Sequence, residues 1–228
     1  MSRARLARLL LEQASKGARC APLAEAAGRL RAHPEAVAEA ASTLRGVALE
    51  GDVVCVSDPV ELALHLAAMG ARESEIARYL DWRMFEDFAA RALEEAGFQV
   101  YRGLALHGKG GFQVDVLGVD PASSLAVAVE CKHWSPRTSA PSRIAQAAKT
   151  HLERVRRLAA AWNRLGLPRP RRGRLRILPV LLVLREQGLP RVAAGVPVVP
   201  ASRLRGFLEE LHVIVEDPVI AVVEAAED

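Results

Sequence analysis

The stretch Leu125 to His133, LAVAVECKH, constrains this chain more than any other. It opens as an unbroken apolar run and closes with a carboxylate and an amine two residues apart. A short β-branched run that follows the turn-like Asp120-Pro121-Ala122-Ser123-Ser124 reads as a buried strand. Strand side chains alternate between faces, so Ala128, Glu130 and Lys132 share one face and Val127, Val129 and Cys131 the other. Ionised groups are costly to desolvate unless they are paired, hydrogen-bonded or bound to metal. Glu130 and Lys132, side by side at the end of a core strand, therefore mark the first place to look for chemistry.

A second carboxylate lies just upstream. Phe112 to Val119 is strand-like, and Asp115 interrupts its apolar character. The residues from Asp120 to Leu125 are enough to close a hairpin between the two strands, which brings Asp115 beside Glu130 and Lys132. Two carboxylates and a lysine suit a divalent-metal phosphodiesterase. Magnesium takes one or two carboxylates and completes its shell with water and phosphate. The metal offsets phosphate charge and acidifies a bound water, and an ammonium can hold that water or the scissile phosphate.

Asp115 followed by Glu130-Cys131-Lys132 resembles the PD-(D/E)xK signature of restriction-endonuclease-like nucleases. The segment Trp82-Arg83-Met84-Phe85-Glu86-Asp87-Phe88 through Gly97-Phe98 is similar to the opening helix of Mrr-type restriction endonucleases and archaeal Holliday-junction resolvases. Glu86 stands where that family often has a glutamate reaching the metal site. Gln146 stands where Mrr-type enzymes often carry a glutamine, on the helix after the ExK strand. Gly195 to Leu204 resembles their closing strand and helix, so the likeness covers roughly Asp81 to Leu211. Gln113-Val114 replaces the proline that precedes the aspartate in the full signature. A lone ExK triplet says little; the ordered set is far more specific. The resemblance implies an α/β fold, a restriction-endonuclease-like mixed sheet flanked by helices. It further implies magnesium or manganese as cofactor, held by Asp115, Glu130 and the backbone carbonyl of Cys131. Lys132 is then the residue that positions or activates the attacking water, with Glu86 and Gln146 assisting.

With 228 residues, half of them apolar, the chain has room for one large domain or two small ones, and nothing points to general disorder. A net charge of +4 and a pI near 9.3 give mild support for a polyanion partner. Basic residues are almost all arginine, with four lysines in all, which makes Lys132 stand out. Asn163 is the single asparagine, a scarcity that fits a thermophile or a GC-rich genome. Three cysteines, Cys20, Cys55 and Cys131, lie far apart with no CxxC, so structural zinc is not expected and a reducing cytoplasm is. No window is long and apolar enough for a membrane span, and nothing calls for a small-molecule cofactor.

In chain order, helices are expected over Arg3 to Gln13, Ala21 to Leu30 and Pro34 to Leu44, with a hairpin at Val47 to Val56. Three helices and a hairpin resemble a winged helix-turn-helix, here residues 1–58, in which the Pro34 helix would be the recognition helix. It carries Glu35, Glu39, Ser42, Thr43 and Arg45, which is not a strongly basic face, and protein contact is an equal alternative to DNA contact. Asp58-Pro59 opens a helical connector, residues 59–80, and the nuclease-like domain follows as 81–228. There the expected order is a helix to Ala96, strands at Phe98 to Leu106, Phe112 to Val119 and Leu125 to His133, and a helix from a Ser142 cap to Asn163. Strands at Ile177 to Leu184 and Val196 to Val199 and a Ser202-capped helix follow, with Val213 to Val215 and Val219 to Val223 as further strands or an oligomer edge.

Candidate DNA contacts are Lys109 in the glycine-rich turn, Arg143 and Lys149 on the helix after the ExK strand, and Arg169, Arg171, Arg172 and Arg174 in LPRPRRGRLR. Arginine binds phosphate bidentately. The leading expectation is a metal-dependent DNA endonuclease acting on DNA as a homodimer. The alternative is a DNA-binding regulator with a catalytically silent nuclease-like domain.

Overall fold

The structure is a computed structural model that describes residues 2–108, 110–132, 141–168, 173–184 and 188–225. It divides into two compact units, Met1–Phe85 and Glu86–Asp228.

In the first unit, α1 (Arg3–Ser15) buries Leu6, Leu10 and Leu11. It is followed by β1 (Cys20–Pro22), α2 (Leu23–Leu30), α3 (Pro34–Ser42), β2 (Val47–Glu50) and β3 (Val53–Val56). The three strands form an antiparallel sheet in the order β1-β3-β2. α3 starts on Pro34, whose missing N–H is no loss in a first turn. α4 (Pro59–Ala68) is capped by Asp58, whose Oδ1 accepts from the N–H groups of Val60 and Glu61. Gly46 precedes the hairpin at φ +72°, where a Cβ would lie 2.2 Å from the Asp58 carbonyl oxygen, so only glycine fits. A short α5 (Glu73–Ile76) completes the segment before α6 (Trp82–Glu95), within which the division between units falls.

The second unit holds a mixed seven-stranded sheet flanked by helices. β4 (Gln99–Leu106), β5 (Phe112–Asp120) and β6 (Leu125–Lys132) run as an antiparallel meander. α7 (Pro141–Ala161) then crosses over to β7 (Arg176–Val183), which is parallel to β6. β8 (Val192–Ala193) and β9 (Val196–Pro200) give the order β4-β5-β6-β7-β9-β8. α8 (Leu204–Glu209) and α9 (Leu211–Ile214) follow, and β10 (Val223–Glu224) pairs with β7. β6 and β7 are central, which explains why both read as continuous apolar runs.

α7 lies on the face of β6 that carries Ala126 and Ala128. Its Val155, Leu158 and Ala159 pack there, and its Ile144, Ala148 and Leu152 pack against Leu181, Val183 and Val196. The opposite face meets α6 and the residues just after it. A Cβ on Gly118 would come 3.0 Å from Leu93 and 3.2 Å from Phe98, so glycine lets that helix settle onto the sheet.

Several sequence expectations are corrected. The helix expected from Ala21 starts at Leu23, because Cys20 to Pro22 pairs with β3 as a strand. The cysteines that are distant in sequence are brought together there, and Cys20 and Cys55 form a disulfide across directly opposed residues. Val213 and Ile214 lie in α9 rather than in a strand, and Val213 is exposed, so the apolar triplet had no sheet to join. Ser142 falls inside the first turn of α7, and Ser202 in a short 3-10 turn ahead of α8, so neither is the expected cap. Of Val219 to Val223 only the last residue is in a strand, paired within the chain.

Candidate active site

The site grows from a break in the sheet. In the β4–β5 ladder, Arg102 pairs with Val116 and Leu104 with Val114, while Gly103 and Asp115 between them do not pair. On the other side, the β5–β6 ladder ends at Val116 opposite Val129. β5 thus loses both neighbours' backbone at Asp115. The aspartate side chain fills the gap, its Oδ2 accepting from the Cys131 N–H at 2.8 Å. This ties Asp115 to the middle residue of the Glu130-Cys131-Lys132 triplet.

Glu130 projects from β6 toward α7 and is 4% exposed. Three side chains surround its carboxylate. Lys132 Nζ is 2.5 Å from Oε1. Arg154 Nη1, from α7, donates to both oxygens at 2.9 Å. His151, one turn earlier on α7, is fully buried, with Nδ1 3.7 Å from Oε2. Its Nε2 lies 2.8 Å from the Ala128 carbonyl. A carbonyl only accepts, so Nε2 carries the proton and the neutral ring turns a bare Nδ1, without a hydrogen-bond partner, toward Glu130. The small Ala128 is what lets α7 approach closely enough for this bond.

Charge follows from this geometry. Burial pushes the Asp115 carboxyl above its ordinary value, and the neighbouring Glu130 charge adds to it. Burial also opposes ionisation of Glu130, but the Lys132 hydrogen bond and charge, with Arg154, outweigh it and hold this carboxyl below its ordinary value. Burial lowers His151, leaving the imidazole neutral near pH 7. The Cys131 thiol is pushed well up by burial and by the charges of Asp115, Glu86 and Glu130. Glu86, half-buried on α6, adds its charge to that effect on Cys131.

The structure brings Asp115, Glu130, Cys131 and Lys132 together, and Glu86 acts on the Cys131 thiol through its charge. Gln146 is exposed on α7, and its Nε2 bonds Thr150 Oγ1 at 3.4 Å. Arg143 and Lys149 are exposed on the same helix. Arg174 pairs with Glu224 at 2.8 Å. Lys109, Arg169, Arg171 and Arg172 lie outside the described residues. Neither Arg154 nor His151 is among the candidate site residues read from the sequence. The signal for His151 was present: it falls at helical spacing from the buried Ile144, Ala148 and Val155. Among the described residues no three His, Cys, Asp or Glu side chains are grouped to hold a metal by themselves, and no helix is long and apolar enough to cross a membrane.

Residues 77–163 match the Mrr catalytic family model, described as a restriction endonuclease. The matched segment contains every residue of the cluster. No curated protein matches. Among solved structures, protein VC1899 from Vibrio cholerae aligns at 9% identity and a TM-score of 0.37, over 95% of this chain and 51% of that one. The chain thus spans about half the length of that protein.

Proposed function

We propose, from the restriction endonuclease domain at residues 77–163, that the chain is a divalent-metal-dependent DNA endonuclease hydrolysing phosphodiester bonds. The observation that carries this reading is the convergence of Asp115 with Glu130 and Lys132 at the broken end of the β5–β6 ladder.

The donor set fits magnesium or manganese. Burial and the Glu130 charge raise the cost of ionising Asp115, which a divalent cation would relieve. Asp115, Glu130 and the Cys131 carbonyl would hold it, with water and phosphate supplying the remaining oxygens. A cation so held polarises phosphate and lowers the pKa of bound water. The protein's own groups do the positioning. The Cys131 N–H fixes the Asp115 carboxylate, and the Lys132 ammonium, part exposed beside Glu130, orients the attacking water or a phosphate oxygen. Glu86 would support the cluster from the Cys131 side, and Gln146 would act from α7 once DNA is in place.

Arg143 and Lys149, with Lys109, Arg169, Arg171, Arg172 and Arg174, are proposed backbone contacts to DNA. For the first unit, the order helix, strand, helix, helix, hairpin supports a winged helix that docks duplex. Cutting both strands calls for two such sites, so a homodimer is proposed; a cytoplasmic location belongs to the same reading.

The test is cleavage of labelled plasmid and branched DNA in magnesium or manganese, wild type beside Lys132→Ala. Metal-dependent cutting that disappears in the variant is expected. Tight DNA binding with no cutting by the wild type on any substrate would replace this reading with that of a silent, regulatory nuclease-like domain.

A further inference from the structure

Glu130 presents an arrangement that the proposed chemistry does not by itself require. Its carboxylate is already satisfied by two cations. Arg154 Nη1 is equidistant, at 2.9 Å, from Oε1 and Oε2. Such a position lies on the plane that bisects the carboxylate, so Arg154 contacts both oxygens that a chelated cation would use. Lys132 takes Oε1 as well. Lys132 and Arg154 together set two positive charges against Asp115 and Glu130. A divalent ion binding Glu130 with both cations in place would have to share its oxygens with them.

Of the two cations, Arg154 is the one placed to leave. Lys132 sits on the same strand as Glu130, two residues away, and shares its face. Arg154 reaches in from α7, and its side chain is 36% exposed. Its contacts to Glu130 use Nη1 of five N–H donors, so among the described residues the rest of the fork can turn to another oxyanion. Arg157, one turn further along α7, donates to the Gly111 carbonyl at 3.2 Å, beside the glycine-rich turn that leads into β5. The two arginines stand one turn apart on α7, Arg154 at the cluster and Arg157 at the glycine-rich turn. A guanidinium matches a phosphodiester bidentately as well as it does a carboxylate.

We propose that Arg154 is an exchangeable partner of Glu130: it neutralises the carboxylate while no divalent ion is bound, and it transfers to a DNA phosphate when ion and duplex arrive. This rests on the metal-dependent reading given above. Arg154 then couples the two ligands. It opposes the ion when DNA is absent, and it holds DNA only when the ion has taken Glu130.

Two binding measurements without turnover test this. Free Mn²⁺ is followed by electron paramagnetic resonance for wild type, Arg154→Met, Arg154→Lys and Asp115→Asn. Anisotropy of a labelled duplex is followed with and without Ca²⁺. Removing a unit charge this close to the ion raises Mn²⁺ affinity of Arg154→Met roughly tenfold, while Arg154→Lys stays near wild type. Duplex affinity of Arg154→Met falls several-fold in Ca²⁺ and matches wild type in its absence. Weaker or unchanged Mn²⁺ binding by Arg154→Met would overturn the exchange. So would an equal loss of duplex affinity with and without Ca²⁺. Failure of the underlying reading looks different: Mn²⁺ binding absent in the wild type, or not reduced by Asp115→Asn. Both Arg154 variants are melted beside wild type; should Arg154→Met melt early, Arg154→Gln, which also removes the charge, replaces it in both arms with the same expected and overturning results.

Discussion

Gly103 stands opposite Asp115 at the one interruption in the β4–β5 ladder, and its φ is +58°. The left-handed backbone at Gly103 and the freed side chain of Asp115 are two sides of one local break. Nothing crowds the place where a Cβ on Gly103 would go, so the conformation alone selects glycine. Gly103→Ala is expected to lose about 1 to 2 kcal/mol, the cost of a side chain in the left-handed region. Gly103→Asn should lose less, because asparagine visits that region more readily. Urea unfolding of the two variants checks the order; equal stability of wild type and alanine variant would show that the left-handed residue is not required.

Asp115 has a structural task separable from its chemical one. Its Oδ2 is the acceptor for the Cys131 N–H. Asp115→Asn keeps an acceptor oxygen and removes the charge, so stability should hold, or rise as a buried charge is lost, while cleavage falls at least about a hundredfold. Asp115→Ala leaves the N–H without that acceptor and should also lose about 1 to 3 kcal/mol. Paired melting curves and cleavage rates separate the two effects, and comparable melting losses in both variants would mean that the hydrogen bond contributes little.

How far the site is legible in the sequence follows from which contacts are local. Period-two alternation puts Glu130 and Lys132 on one face, and the short turn between Asp120 and Leu125 brings Asp115 back beside them; both are short-range rules, and the structure agrees. The Arg154 contact and the buried His151 depend on how α7 crosses Ala128, and the Gly103 break on how β4 pairs with β5, neither of which periodicity specifies. The same holds in the first unit. Cys20 and Cys55 are 35 residues apart, and only the pairing of β1 with β3 puts them opposite one another. The triplet Val213 to Val215 shows the converse error: β-branched residues read as a strand locally, but the sheet already ends with β8 and β10 takes the place beside β7.

Stability should fall in acid in two separate stages. His151 has a folded value below its ordinary 6.5, so as pH drops below about 6.5 the unfolded chain takes a proton that the folded one refuses. That contribution is complete above 6.5 and is lost as pH falls through the folded value, at a slope of up to about 1.4 kcal/mol per pH unit. Glu130, lowered from 4.5, behaves alike at lower pH: its contribution holds above 4.5 and is lost below. Asp115, raised from 3.8, has the opposite sign, contributing below 3.8 and losing that as pH rises through its folded value. His151→Gln keeps a donor for the Ala128 carbonyl and removes the titration. Its melting temperature should be flat between pH 7 and 5, where the wild type declines; parallel decline of both proteins would assign the slope to other groups.

The disulfide is testable without any assumption about activity. Cys20 and Cys55 are joined and Cys131 is the remaining thiol. Thiol titration in denaturant should therefore count one thiol per chain before reduction and three after it. In the folded protein near neutral pH that one thiol should react slowly, because burial and the surrounding carboxylates hold Cys131 well above the range in which it forms thiolate. A cross-link that closes a loop of this length restricts the unfolded chain by about 3 to 4 kcal/mol. Cys20→Ser should destabilise the first unit by up to that amount, and adding reductant to wild type should reproduce the loss. Hydrogen exchange locates it: faster exchange is expected in β1 and β3, with little change in β5 and β6. Three thiols before reduction would mean that β1 is held to β3 by the ladder alone, and reductant would then leave the unfolding midpoint where it was.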